Sequence, residues 1–244
     1  MLAAVCLPHL IITDDQKISV KSRYPQAYAW YRDLATKYPQ ANLLSIDFCI
    51  SNHHHAGSDA IFWSEYNLKI INQYYGSSSI PSNIQQLILE DEYLLLHEAC
   101  HVNNDHTNKG GIVLATATTT GAGLALGLAA QACAGAISAT AAVASGVLSN
   151  AALAAGVYAY ARCQEQQADN FANQNAAQPA LQAGITWHYN NHQELQIPAD
   201  ASALQQTYIE VSSDKAHPSP QNRMNAAAQT HATRFETTSS LAIG

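Results

Sequence analysis

The chain has 244 residues, with 11 Lys and Arg against 18 Asp and Glu, for a formal net charge of −7. That balance argues against a nucleic-acid partner, which calls for a basic face, and no Pro/Gly/Ser linker divides the chain into several domains. Apolar residues reach 48% and charged residues only 12%, so a sizeable core is within reach while Gln, Asn, Ser and Thr supply much of the polar surface.

In chain order, Met1 to Ile12 is short and apolar but lacks a basic start and an A-x-A cleavage site, so it is not expected to act as a signal peptide. Tyr24 to Tyr38 reads as a helix ended by Pro39, and Leu43 to Ile50 reads as a strand. Ile61 to Ile71 alternates in part and reads as one or two strands. A strand beside a catalytic metal often pairs with extended substrate, and Ile61 to Ile71 is expected in that role. His53-His54-His55 reads as a solvated loop, because adjacent loop histidines lack fixed ligand geometry. Residues 1–80 thus form an N-terminal helix and a small sheet.

Residues 81–108 hold the next helix. Pro81 suits its first turn, with Ser79 or Ser82 near the cap. Ile84, Leu87, Ile88, Tyr93 and the run Leu94 to Leu96 are apolar at helical spacing. The helix then carries His97-Glu98-Ala99-Cys100-His101, an HExxH sequence. Positions i and i+4 share a helix face, so His97 and His101 can grip one metal ion. Glu98 then stands beside the water that such a metal activates, which points to hydrolysis of a peptide bond. Two histidines are too few for a catalytic zinc. His106 does not have the spacing of a third ligand in HExxHxxGxxH, where Asn104 stands in place of Gly.

From Gly110 to Ala161 there is no Lys, Arg, Asp, Glu or His. Two helices of about 20 residues fit there, each as long as a bilayer core is thick, with Gln131 and Gly135 at the midpoint. Gly121, Gly123 and Gly127 would let them pack closely. Three readings are open: a transmembrane hairpin, a soluble hairpin buried against the core, and a lid that also touches membrane. Thr116, Thr118, Thr119 and Thr120 weaken the first segment as a span.

Residues 162–244 begin with Arg162-Cys163-Gln164-Glu165-Gln166-Gln167-Ala168-Asp169. Glu165 and Asp169 are again i, i+4 on a helix. Glu165 can be the third metal ligand, and Asp169 can accept a hydrogen bond from the far nitrogen of a ligand histidine, best His97. Five cysteines, Cys6, Cys49, Cys100, Cys133 and Cys163, include no CxxC pair and suit buried free thiols in a reducing compartment. Cys100 and Cys163 are offset from the ligand face and read as packing residues.

HExxH followed by ExxAD resembles the HtpX and CAAX prenyl protease family of zinc metallopeptidases, of the gluzincin type. His106 sits where many members carry a histidine, in HEACHVNNDH, and His217-Pro218-Ser219-Pro220-Gln221-Asn222-Arg223-Met224 resembles the family's HPSxxxRI stretch. Gly57 to Trp63 departs from the family's Asn-Ala pair, which marks a divergent member. The resemblance implies a mainly helical α+β, zincin-like domain, with a small antiparallel sheet beside the HExxH helix and an Ala/Gly-rich helical hairpin. It implies one zinc ion per chain held by His97, His101 and Glu165, with Glu98 as general base and Asp169 behind the ligands. It brings His217 to the rim, as an oxyanion donor, a resting-state ligand or a turn residue, and makes His106 and Arg223 structural or rim residues.

The expected activity is zinc-dependent endopeptidase cleavage of a protein or peptide substrate. A self-inhibited or vestigial module in membrane protein quality control, a hydrolase of another bond, and a secreted bacterial effector acting on a host protein stay open beside it. The expected location is cytoplasmic or exported by a non-classical route, with membrane-associated or periplasmic as the alternative. Membrane contact is expected through residues 110–161, and the sequence sets no oligomeric state.

Overall fold

The computed structural model describes residues 17–194 and 219–236. Helix α1 (Val20–Arg23) is a single turn, and α2 (Pro25–Lys37) follows Tyr24. Proline fits the first position of α2 because its missing N–H would have no intrahelical partner there. Ala27, Trp30, Tyr31 and Leu34 recur at three- and four-residue spacing and are buried, so α2 forms one wall of the core.

Where a strand is expected from Leu43, the chain instead makes a 3-10 turn over Leu43–Ser45 before entering β1 (Asp47–Ser51). Asn42, at a left-handed φ of 49°, starts that turn, and the Tyr31 hydroxyl donates to the carbonyls of Leu43 and Ile46. With β2 (His55–Ala56) and β3 (Ala60–Ser64), β1 builds a sheet of order β1-β3-β2. β1 runs parallel to β3, and β2 runs antiparallel to it. The sheet is therefore mixed and not antiparallel throughout. Its apolar runs, Phe48 to Ile50 and Ala60 to Trp63, are buried without alternation, as parallel pairs require.

The strand expected over Ile61 to Ile71 stops at Ser64, and Glu65–Tyr74 forms α3. Leu68 and Ile71, three residues apart and fully buried, carry the helical spacing that the preceding apolar run disguised. β3 is also the central strand, bonded on both sides, so it has no free edge for an extended peptide. Ser19 bridges to Cys49 on the outer side of β1, which leaves β2 as the less covered edge.

Helix α4 (Ser82–Asn103) begins after Pro81, which serves as its cap and not as part of its first turn. Tyr93, Leu95, Leu96 and Ala99 are fully buried, and α4 packs on α6 (Ala139–Asn175) and α7 (Gln178–Glu194). Helix α8 (Pro220–His231), capped by Ser219, lies against α6 and α7 and ends in a π-helical turn, Ala232–Glu236.

Helices α5 (His106–Cys133) and α6 pack along each other as a hairpin. They have 28 and 37 residues, longer than expected, because α6 does not stop at the charge-free boundary but runs on to Asn175. Gly135 takes a φ of 72° in the turn, and Ser138 caps α6 by accepting from Ala141 N–H. Of the three glycines expected to mediate packing, Gly121 does so. A Cβ there would fall 2.6 Å from Asn150 Oδ1, whereas Gly123 and Gly127 face open space. Only 6% of each helix's most apolar window is buried, so the hairpin does not lie against the core.

Candidate metal centre

Helix α4 carries His97 and His101 toward the face of α6 that presents Glu165, Ala168, Asp169 and Ala172. Ala168 and Ala172 are fully buried, and their small side chains let the two helices approach closely enough for carboxylates to meet imidazoles. His97 Nε2 lies 3.1 Å from His101 Nε2. Glu165 Oε2 is 3.2 Å from His97 Nε2, and its Oε1 is 3.5 Å from His101 Nε2. One ligand atom from each of the three residues thus falls within a 4.8 Å group. Glu98, next to His97 on α4, is half-buried.

Asp169, one turn beyond Glu165, places Oδ1 3.0 Å from His97 Nδ1. Arg223 from α8 grips the same carboxylate with two bonds, Nε to Oδ2 at 2.7 Å and Nη2 to Oδ1 at 2.6 Å. Its guanidinium also lies 5.7 Å from the centre of the Trp187 ring. The acidic partner of Arg223 is therefore Asp169, directly behind the histidine.

Burial alone would keep Asp169 protonated, but His97 and Arg223 hold its carboxyl well below the usual carboxylate range. Burial alone would also discharge His97. Hydrogen bonding to Asp169 and Glu165 outweighs it and raises the imidazole to about 10. The pocket thus favours positive charge between His97 and Glu165. Arg223 compensates Asp169, and a divalent cation between the three ligands would compensate Glu165. Two imidazole nitrogens and one carboxylate oxygen form the donor set that catalytic zinc takes with one position left open.

His106 is brought to this centre through the turn before it. α4 stops at Asn103, Asn104 Nδ2 donates to Cys100 O, and Asp105 adopts a left-handed φ of 55°. The chain reverses, and the His106 ring returns to His101, with 3.0 Å between the two Nδ1 atoms. Thr107 Oγ1 donates to Gly57 O at 3.2 Å, tying the start of α5 to the loop after β2.

The other expected residues divide. His217 and Cys6 lie outside the described residues. Cys100 and Cys49 are buried thiols, and Cys100 Sγ accepts from Asn104. Cys133 and Cys163 are exposed, so Cys163 is not the buried packing residue expected. The three adjacent histidines do not form one solvated loop. His54 packs its ring 4.0 Å from Trp63, and His55 stacks on Phe62 within β2. Residues unremarked in the sequence also stand near the centre. Gln167 meets His106, and behind His97 the Tyr93 hydroxyl donates to Asn173 Oδ1 at 2.9 Å, with His188 Nε2 at 3.2 Å. A neighbouring His or Asp on the opposite helix face would be the only sequence signal for them.

No curated protein and no solved structure matches the chain. A family model described as Peptidase family M48 matches residues 89–231, from within α4 to the end of α8. The span takes in both histidines, Glu165, Asp169 and Arg223, as well as the hairpin between them. By that match, over more than half its length, the chain belongs to Peptidase family M48.

Proposed function

We propose that the chain is a zinc-dependent endopeptidase, with His97, His101 and Glu165 holding one zinc ion and Glu98 acting as its general base. The observation that carries this reading is the convergence of two imidazole nitrogens and one carboxylate within 4.8 Å, with Glu98, the one carboxylate in HEACH, adjacent to His97 in the chain. When bound, zinc supplies Lewis acidity for one water molecule and for the scissile carbonyl. Glu98 takes the proton of the attacking water and returns it to the amine nitrogen as the C–N bond breaks. Asp169 Oδ1, 3.0 Å from His97 Nδ1, is placed to take its N–H when a metal occupies Nε2, and Arg223 keeps Asp169 ionised for that task. A complete ligand set with Glu98 in place argues against a vestigial site.

The hairpin supports anchorage in a bilayer. Residues 110–161 carry no charge, and Ile112, Leu124, Leu126, Val143, Val147 and Leu148 are exposed on it. The threonines that weaken α5 as a span are partly hidden, since Thr118 and Thr119 donate to the carbonyls of Leu114 and Ala115 one turn back. Asn150 does the same to Gly146.

Metal analysis and N-terminal proteomics test the enzyme reading together. Glu98→Gln is expected to keep about one zinc per chain and to lose about 10²–10⁴ in cleavage rate. New N-termini produced by the native protein should be missing with the variant. Cleavage retained by Glu98→Gln, or native protein without zinc, refutes the mechanism.

A further inference from the structure

We infer that His106 and Gln167 are positioning residues, a two-step hydrogen-bond relay that fixes the tautomer and direction of the His101 ring for metal binding. The inference rests on the metal centre proposed above and assigns what holds its second histidine. His101 presents Nε2 to His97 and Glu165. A metal ligand needs the lone pair on that nitrogen, so the proton of a neutral His101 sits on Nδ1. Nδ1 faces His106 Nδ1 at 3.0 Å. Two facing nitrogens can share only one proton, so His106 Nδ1 must accept. His106 is then the neutral tautomer with its proton on Nε2, and that N–H donates to Gln167 Oε1 at 3.2 Å. The direction of every bond follows from the metal end.

The surroundings are built for this. His106 and His101 are both buried, and their rings meet edge to face with centroids 5.0 Å apart. The left-handed Asp105 turns the His106 ring back onto α4, and Gln164 Nε2 donates to His106 O at 3.2 Å. Gln167 lies two residues after Glu165 on α6. One helix therefore supplies the third ligand and the last acceptor of the relay. The two ligand histidines are held differently: His97 by a carboxylate that an arginine keeps charged, His101 by a neutral chain.

The tautomers are read directly by ¹⁵N NMR of the histidine rings in the full zinc-loaded chain, with His106→Asn identifying the His106 signals. The expected pattern is a protonated Nδ1 on His101, and on His106 a protonated Nε2 with a bare Nδ1. Zinc affinity, measured by chelator competition, gives the second readout. His106→Leu and Gln167→Leu should each weaken zinc about 10- to 100-fold. His106→Asn, which keeps an acceptor near the Nδ1 position, and Gln167→Glu, which still accepts from Nε2–H, should lose less than about tenfold. A protonated His106 Nδ1 in zinc-loaded protein, or a Gln167→Glu variant as weak as Gln167→Leu, overturns the relay and leaves the metal centre standing. Native protein that binds no zinc overturns the metal centre, and the relay with it.

Discussion

Asp91 lies two helical turns before Glu98 on α4 and is only 1% exposed. Asn67 Nδ2 donates to both of its oxygens, at 2.8 and 3.0 Å. Its basic neighbour His54, 3.8 Å away, is kept neutral, because burial and the adjacent His53 and His55 lower it to about 4. Burial therefore pushes Asp91 up to about 8. A carboxyl raised above its unfolded value stabilises the fold most at low pH, and that contribution is lost as pH rises from 3.8 toward 8. His54 acts with the opposite sign, losing stability as pH falls from 6.5 toward 4. The two offset each other below 6.5; above it His97, raised to about 10, declines in the same direction as Asp91, so the share of Asp91 is the difference that Asp91→Asn makes. Thermal unfolding of Asp91→Asn is expected to show a flatter decline between pH 6.5 and 8 than the native chain; an equal decline would contradict a protonated Asp91.

Among the elements, α4 is the one whose position sets the site, and α7 holds it through His188 on the Tyr93 hydroxyl and through a close approach of Gly184. A Cβ on Gly184 would fall 2.6–2.8 Å from the ring atoms of Tyr93, one turn before His97. Gly184→Ala must displace that ring, at a cost of about 1–3 kcal/mol. The expected result is a lower Tm together with weaker zinc binding; a variant with native Tm would show that the contact yields freely. This contact also marks the limit of what the sequence makes legible. His97, His101, Glu165 and Asp169 are readable because each pair is set by the pitch of one helix, and helix pitch is a sequence property. Gly184 on Tyr93, Asn173 on the same hydroxyl and Gln167 on His106 join residues far apart in the chain, with no local period to betray them. The misread strand over Ile61 to Ile71 has another cause. Ile61, Phe62 and Trp63 are buried in a row, and a short unbroken apolar run does not distinguish strand from helix. The sheet's parallel pair likewise depends on which strand lies in the middle, and no single strand encodes that.

For the molecule as a whole, two bodies of opposite character share one chain: a packed domain around α4 and a hairpin without charge. Leu126 and Val147, 73% and 64% exposed, lie on the hairpin's outer surface. Replacing both with lysine adds about 2.5–3.5 kcal/mol each to insertion at a bilayer centre. The native chain is expected to float with liposomes in a density gradient, and Leu126→Lys/Val147→Lys to stay in the aqueous fraction while still binding zinc. A native chain that stays in the aqueous fraction without detergent would refute the anchorage and leave the metal centre untouched. Glu165 stands four residues beyond Ala161, about 6 Å along the helix axis. An anchored hairpin would therefore hold the centre within a helical turn or so of the charge-free boundary.

The unbroken course of α6 has a mechanical meaning. From Ala139 to Glu165 the helix spans about 39 Å, whereas the stretch from Glu165 to its end at Asn175 spans about 15 Å. It is a lever with a long outer arm and a short inner one, and its fulcrum is the packing of α6 on α4, in the stretch where Ala168 and Ala172 are buried. Glu165 and Asp169 ride on that fulcrum. Pressure or tilt applied to the hairpin reaches Glu165 and Asp169 in the same motion, with no break in the helix between them to absorb it.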